Sequence, residues 1–156
     1  MKVLYVTSEA NPYAASGGLG DVLGALPKAL VADNPGTEAE VIMPLYNVMK
    51  EEYREKLEKV IDITFKLSWR TTGATVYKIE NCGVTYYFVE NHYYFNRKSL
   101  YGEYDDGERF AFFSRAALEI MPFVDFYPHL IHCHDWQTGL IPAYLKTVYK
   151  LDAFYT

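Results

Sequence analysis

The first 44 residues confine the chain to a small set of folds. Residues 2–7 (KVLYVT) form a short apolar run of the kind found in parallel strands buried on both faces. A polar, proline-containing loop follows. Leu19, Val22, Leu23, Leu26 and Leu30 then recur at helical spacing over residues 18–32. Pro27 within that run predicts a kink or an early end, because it lacks an N–H and crowds the preceding turn. Asn34-Pro35-Gly36 punctuates the helix, and residues 39–43 (AEVIM) read as a second strand ending at Pro44. Strand, helix and strand in this order make a βαβ unit, whose crossover is right-handed in nearly all cases. The expectation is an α/β fold with a mostly parallel, Rossmann-like sheet.

The middle of the chain changes character. Ile61, Ile63, Phe65 and Leu67 alternate with Asp62, Thr64 and Lys66, the pattern of a strand with one wet face. Residues 75–79, the turn Asn81-Cys82-Gly83 and residues 84–89 read as a hairpin, an antiparallel insertion in the parallel core or an edge upon it. Residues 91–107 read as a polar loop. Residues 108–121 then read as an amphipathic helix with Phe110, Phe113, Ala117 and Ile120 inward. Another strand is expected over 130–134 and a helix over 137–149. Phe154-Tyr155-Thr156 begins like one more strand, and an architecture of this kind rarely stops there. The sequence therefore reads as a single domain over residues 1–156, truncated at its C-terminus.

Composition narrows the function. With 156 residues and 50% hydrophobic content, the chain can hide roughly 70% of its unfolded surface and needs no disulfide or metal staple. A formal net charge of -5 argues against nucleic acid or an anionic membrane as the main partner. No segment approaches about 18 unbroken apolar residues, so no membrane span is expected. Cys82 and Cys133 lie far apart without C-x-x-C spacing, which suits reduced thiols in a cytoplasmic protein. The 15 tyrosines serve either packing or a carbohydrate surface, since each joins a flat apolar face to a hydroxyl.

Ligands in open α/β sheets bind outside the carboxyl ends of the strands, and two stretches of interest fall there. In the first, Ser16-Gly17-Gly18 sit at a predicted helix N-terminus, where free N–H groups and the helix dipole favour a phosphate. The stretch is neither G-x-G-x-x-G nor G-x-x-x-x-G-K-[ST], so neither a dinucleotide fingerprint nor a P-loop is present. Asp21 falls in the first turn, where it complements the dipole. The alternative is that Gly17 and Gly18 only make the strand-to-helix turn. In the second stretch, HLIHCHDWQ, strand alternation places His132 and His134 on one face and Cys133 on the other. This H-x-H pair beside Asp135 could bind a metal, or one His could be buried while the other lines a metal-free cleft with Asp135. His92 and His129 are isolated in sequence and offer no third ligand at persuasive spacing, so no metal is expected.

These residues carry a family resemblance. KVLYVTSEANPY, SGGLGDVLGALP, VIMPLYN, YFNRKSLYG, DDGERFAFFSRAALE and HCHDWQTGLIPAYL are similar, in that order, to motifs of bacterial glycogen synthases and plant starch synthases. Among those motifs are K-T-G-G-L-x-D-V-x-G-x-L-P and H-x-H-D-W-x-x-G-L-x-P. The resemblance implies the N-terminal lobe of a GT-B fold. It also implies transfer of glucose from ADP-glucose to the non-reducing end of an α-1,4-glucan, with retention and without a further cofactor. It places Ala15, Ser16, Gly17, Gly18 and Asp21 in the donor's diphosphate loop and His134 and Asp135, with Trp136 beside them, on the sugar side. The nucleotide-binding C-terminal lobe is absent from these residues, so the chain is expected to be inactive alone. The alternatives are a non-catalytic glucan-binding module and, further off, a metal-dependent hydrolase. One position departs from the pattern: Ala15 stands where the family has lysine, and Ser16 where it has threonine. Losing that charge-assisted contact costs on the order of 1.5–3 kcal/mol, which bears on donor affinity and donor base.

Overall fold

The computed structural model describes residues 1–149, so the strand start expected at 154–156 lies outside the described residues. Strand β1 (Lys2–Val6), helix α1 (Gly18–Asp33) and strand β2 (Glu38–Pro44) form the expected βαβ unit. A short helix α2 (Glu51–Arg54) leads to strands β3 (Glu58–Leu67), β4 (Arg70–Asn81) and β5 (Val84–Glu90). Helices α3 (His92–Phe95) and α4 (Asp106–Glu119), strand β6 (Leu130–Cys133) and helix α5 (Leu140–Thr147) complete the described chain.

The six strands make one sheet in the order β3-β4-β5-β2-β1-β6. Strand β1 pairs in parallel with β2 on one side and β6 on the other, and β2 pairs in parallel with β5. Strands β3, β4 and β5 form an antiparallel meander. The hairpin read from the sequence is thus the edge of the sheet, with β5 shared between the meander and the parallel core. Its turn holds Cys82 and Gly83 at φ 53° and 75°, the left-handed pair that a two-residue hairpin turn demands. Since β2 and β6 flank β1 on opposite sides, the strand order reverses at β1. In open α/β sheets ligands bind outside the carboxyl ends of the strands at such a reversal, which here are the ends of β1 and β6.

Two sequence expectations are corrected in detail. Helix α1 does not end at Pro27 but runs on to Asp33. Pro27 is buried, and the Leu23 carbonyl that its missing N–H would have served lies 3.5 Å from the Tyr86 hydroxyl. The helix expected over 137–149 is a 3-10 turn (Trp136–Thr138) followed by α5. In addition, α3 interrupts the loop expected over 91–107, capped by Asn91, whose side chain accepts from the Tyr94 N–H at 3.1 Å.

The core fills both faces of the parallel strands with Val3, Leu4, Tyr5, Val6, Val41, Ile42, Met43 and Phe88. Helix α4 buries Phe110, Phe113, Ala117 and Ile120 as its pattern predicts, and also Phe112 and Ala116. The second face is covered because the β3–β4 hairpin leans over it. Phe65 stacks on Phe112 at 5.5 Å between ring centroids, and Arg70 pairs with Glu108 at 2.6 Å.

A half-buried carboxyl on β2 gives the fold a pH signature. Burial pushes the Glu40 carboxyl up to about 7 from 4.5, against the weaker opposing hydrogen bond from the Tyr87 hydroxyl at 3.4 Å. Between those values the folded chain holds a proton that the unfolded chain has released, so the Glu40 contribution to stability falls as pH rises through this window. Glu40→Gln should match the wild-type melting temperature at the acid end of the window and exceed it above neutrality. A difference in melting temperature that stays flat across the window would refute the protonated, buried state.

Candidate functional site

The loop after β1 is organised around one carboxylate. Glu9 is 1% exposed, and its Oε2 accepts from the Ser16 N–H at 2.5 Å and the Gly17 N–H at 3.2 Å. Its Oε1 accepts from the Ser16 hydroxyl at 2.9 Å and from the Tyr101 hydroxyl, which also contacts Ser16 Oγ. Tyr101 comes from the 96–105 loop, which is stapled to the start of α4 by the fully buried Arg109. That guanidinium donates to the Tyr94 and Leu100 carbonyls at 2.7 and 3.1 Å and to Asp106 Oδ1 at 2.5 Å.

Helix α1 lies close on this loop. The Asn11 N–H donates to the Gly20 carbonyl at 2.9 Å, and the Asn11 amide donates to Asp21 Oδ1 at 2.7 Å. A Cβ at Gly20 would fall 2.3 Å from Ala15 Cβ, and one at Gly24 would fall 2.8 Å from the Asn11 carbonyl oxygen. Gly17 and Gly18 are different, because a Cβ at either meets nothing within 4 Å. The close backbone approach inside the protein is therefore made by Gly20 and Gly24, while Gly17 and Gly18 face open space. Among the described residues, the N–H groups of Gly18 and Leu19 have no hydrogen-bond partner, as the first amides of a helix lack one within it.

The turn after β6 supplies the second half of the site. The His134 N–H donates to the Val6 carbonyl at 3.0 Å, extending the β1–β6 ladder by one step. As alternation predicts, His132 and His134 share a face, with ring centroids 4.1 Å apart, and Tyr5 lies 5.4 and 5.9 Å from them. Burial, helped by the neighbouring His132, pushes the His134 imidazole down to about 4. Its Nε2 is buried and takes no partner among the described residues. Asp135 follows at φ 63° and ψ -177°, a region that side-chain-bearing residues rarely occupy and that costs of order 1–3 kcal/mol. Its Oδ1 accepts from the Trp136 N–H at 2.7 Å, and Thr138 Oγ1 donates back to the His134 carbonyl at 2.9 Å. Among the described residues no group of three or more His, Cys, Asp or Glu side chains could hold a metal ion.

The two turns share the carboxyl end of the sheet because β1 and β6 pair directly and in parallel. The Glu9 carboxylate that accepts its hydrogen bond holds the Tyr101 hydroxyl above the usual phenol range, and the charge of Asp135 adds a smaller push. Glu9 and Tyr101 were not singled out as site residues by sequence reasoning, although both lie inside the quoted motifs. A lone Glu after an apolar strand and a lone Tyr in a polar loop carry no local signal. Only the tertiary fold joins them.

The model of the starch synthase catalytic domain family matches residues 2–156. The chain belongs to that family. It is 48% identical to a glycogen synthase of Anoxybacillus flavithermus over 155 residues, which are 99% of the chain and 32% of the relative. It is 49% identical to a glycogen synthase of Clostridium perfringens with the same coverage. The catalytic domain of starch synthase IV from Arabidopsis thaliana, solved bound to ADP and acarbose, superposes with a TM-score of 0.83 at 31% identity. That match covers 97% of the chain and 32% of the plant protein. The chain thus spans about a third of the length of the relatives it matches, and the sheet is that of a GT-B glycosyltransferase domain.

Two measurements check the site of this starch synthase family member. Gly24→Ala should destabilise by about 1–3 kcal/mol despite the better helix propensity of alanine, whereas Gly18→Ala should leave the melting temperature unchanged or raised. Equal effects at the two positions would contradict the geometry. By NMR, the His134 ring should stay neutral from pH 8 down to about 5, since its carbon shifts titrate only near the depressed value. A midpoint near the ordinary histidine value would show that the ring is solvated.

Proposed function

We propose that the chain is one lobe of a two-lobed glucosyltransferase, which moves glucose from ADP-glucose to the non-reducing end of an α-1,4-glucan with retention. The observation that carries this reading is that two turns lie at the carboxyl end of one sheet, one with open amides and one with an aspartate on strained backbone beside an unpartnered imidazole. The Arabidopsis neighbour, solved with ADP and acarbose, supports the same ligand classes.

In this reading Ala15, Ser16, Gly17, Gly18 and Asp21 surround the donor diphosphate, and His134 and Asp135 face the sugar. Open space at Gly18 lets phosphate oxygens approach the main chain, and the start of α1 favours their charge. His134 is neutral at pH 7, so it exchanges single hydrogen bonds with a sugar hydroxyl and delivers no net charge. A hydroxyl on its Nε2 also relieves the cost of leaving a buried polar atom unpaired. The Asp135 carboxylate has one oxygen fixed by the Trp136 amide, and its other oxygen accepts from the sugar. Ala15 brings no cation to the phosphates. Charge neutralisation in the transfer step is thus assigned to a second lobe across the cleft, the one that binds the nucleotide. Reduced Cys82 and Cys133 fit a cytoplasmic setting, and no described helix is long and apolar enough to cross a membrane.

The test has two arms. The 156-residue chain alone should produce no glucan elongation, while the two-lobed protein extends a malto-oligosaccharide with ADP-glucose; elongation by the chain alone overturns the division of labour. In the two-lobed protein, Gly18→Ala should weaken ADP binding by about tenfold without loss of thermal stability. Unchanged ADP affinity in that variant removes the glycine turn from the donor site.

A further inference from the structure

We propose that Glu9 is the positioning residue of the glycine turn. By taking the amides of Ser16 and Gly17 it leaves those of Gly18 and Leu19 as the pair presented to an anionic ligand. Through Tyr101 it also ties the turn to the 96–105 loop. The ligand part of this inference rests on the diphosphate reading above; the positioning part does not.

Three observations carry it. First, the carboxylate is almost fully buried yet forms no ion pair among the described residues, and its charge is met only by two amides and two hydroxyls. Buried anions persist where several donors are held in place for them, so the turn must keep its present shape for Glu9 to remain inside. Expelling the carboxylate to admit a phosphate on the same amides would also break its bonds to Ser16 Oγ and Tyr101. Second, Glu9 Oε2 lies 3.5 Å from where a Cβ of residue 20 would sit, and Ala15 lies closer still. The clash that demands glycine at position 20 is with Ala15, in the loop whose next two amides Glu9 holds, so the start of α1 packs against the turn that Glu9 shapes. Third, Tyr101 is delivered by a loop pinned to α4 through the buried Arg109. A single acceptor therefore sets the relative position of two loops 92 residues apart in sequence.

The experiment is an NMR titration of the 15N-labelled two-lobed protein with ADP, combined with amide hydrogen exchange and Glu9 variants. In the wild type, ADP should shift the Gly18 and Leu19 amide signals, while Ser16 and Gly17 exchange slowly and move little. Glu9→Ala should speed exchange at Ser16 and Gly17 by about 100-fold and weaken ADP binding by about tenfold. Glu9→Gln, whose carbonyl can still accept from both amides, should restore slow exchange and keep the ADP Kd within about threefold of wild type. Leu118→Ala, a core variant chosen to lose comparable thermal stability, should leave both readouts unmoved. Shifts at Ser16 and Gly17 as large as those at Gly18 and Leu19 would overturn the proposal, as would unweakened ADP binding in Glu9→Ala. Should ADP bind the wild-type protein without shifting the Gly18 and Leu19 signals, the diphosphate reading fails. The exchange arm then decides Glu9 alone: protection lost in Glu9→Ala and regained in Glu9→Gln supports it, and unchanged protection in Glu9→Ala refutes it.

Discussion

Strand β1 is hydrogen-bonded along both edges, to β2 and to β6, and its residues are buried on both faces. A shift of such a strand by one residue would swap its side chains between two packed faces and break the register of both ladders at once. That rigidity fixes where the chain emerges after Val6 and after Cys133. The two turns that follow inherit a common origin, and the ladder continues one step past the strands through the His134 N–H and the Val6 carbonyl. The strained backbone of Asp135 survives because the residues before and after it are held. The His134 carbonyl accepts from Thr138, and buried Ser114 on α4 donates to the Gln137 carbonyl at 3.3 Å. Strain of this size persists only where the surroundings over-determine the geometry.

Much of this architecture was legible in the sequence, and the reasons differ by element. The apolar run of β1, the helical spacing of α1 and the alternation in β3 report directly on burial, and all three elements formed. Pro27 misled as a helix terminator because its effect depends on what meets the freed carbonyl, here the neighbourhood of Tyr86 on a distant strand. The burial of a second face of α4, around Phe112, was equally invisible, since the hairpin that covers it lies dozens of residues upstream.

At the candidate site, the glycine pattern marked the turn while hiding a division of roles. Four glycines fall within eight residues, and sequence alone cannot separate those that face open space from those that pass against other backbone. Gly17 and Gly18 belong to the first kind, Gly20 and Gly24 to the second. Glu9 escaped notice for a related reason. A carboxylate eight residues before the first glycine of a turn becomes meaningful only when the loop folds back and brings their hydrogen-bonding atoms together.

The Asp135 backbone has an evolutionary corollary. Glycine would occupy that conformation without penalty but would lose the cap that the Asp135 side chain places on the Trp136 N–H, so two folding effects oppose each other at this position. Where folding alone governs, this one codon is free to drift between aspartate and glycine.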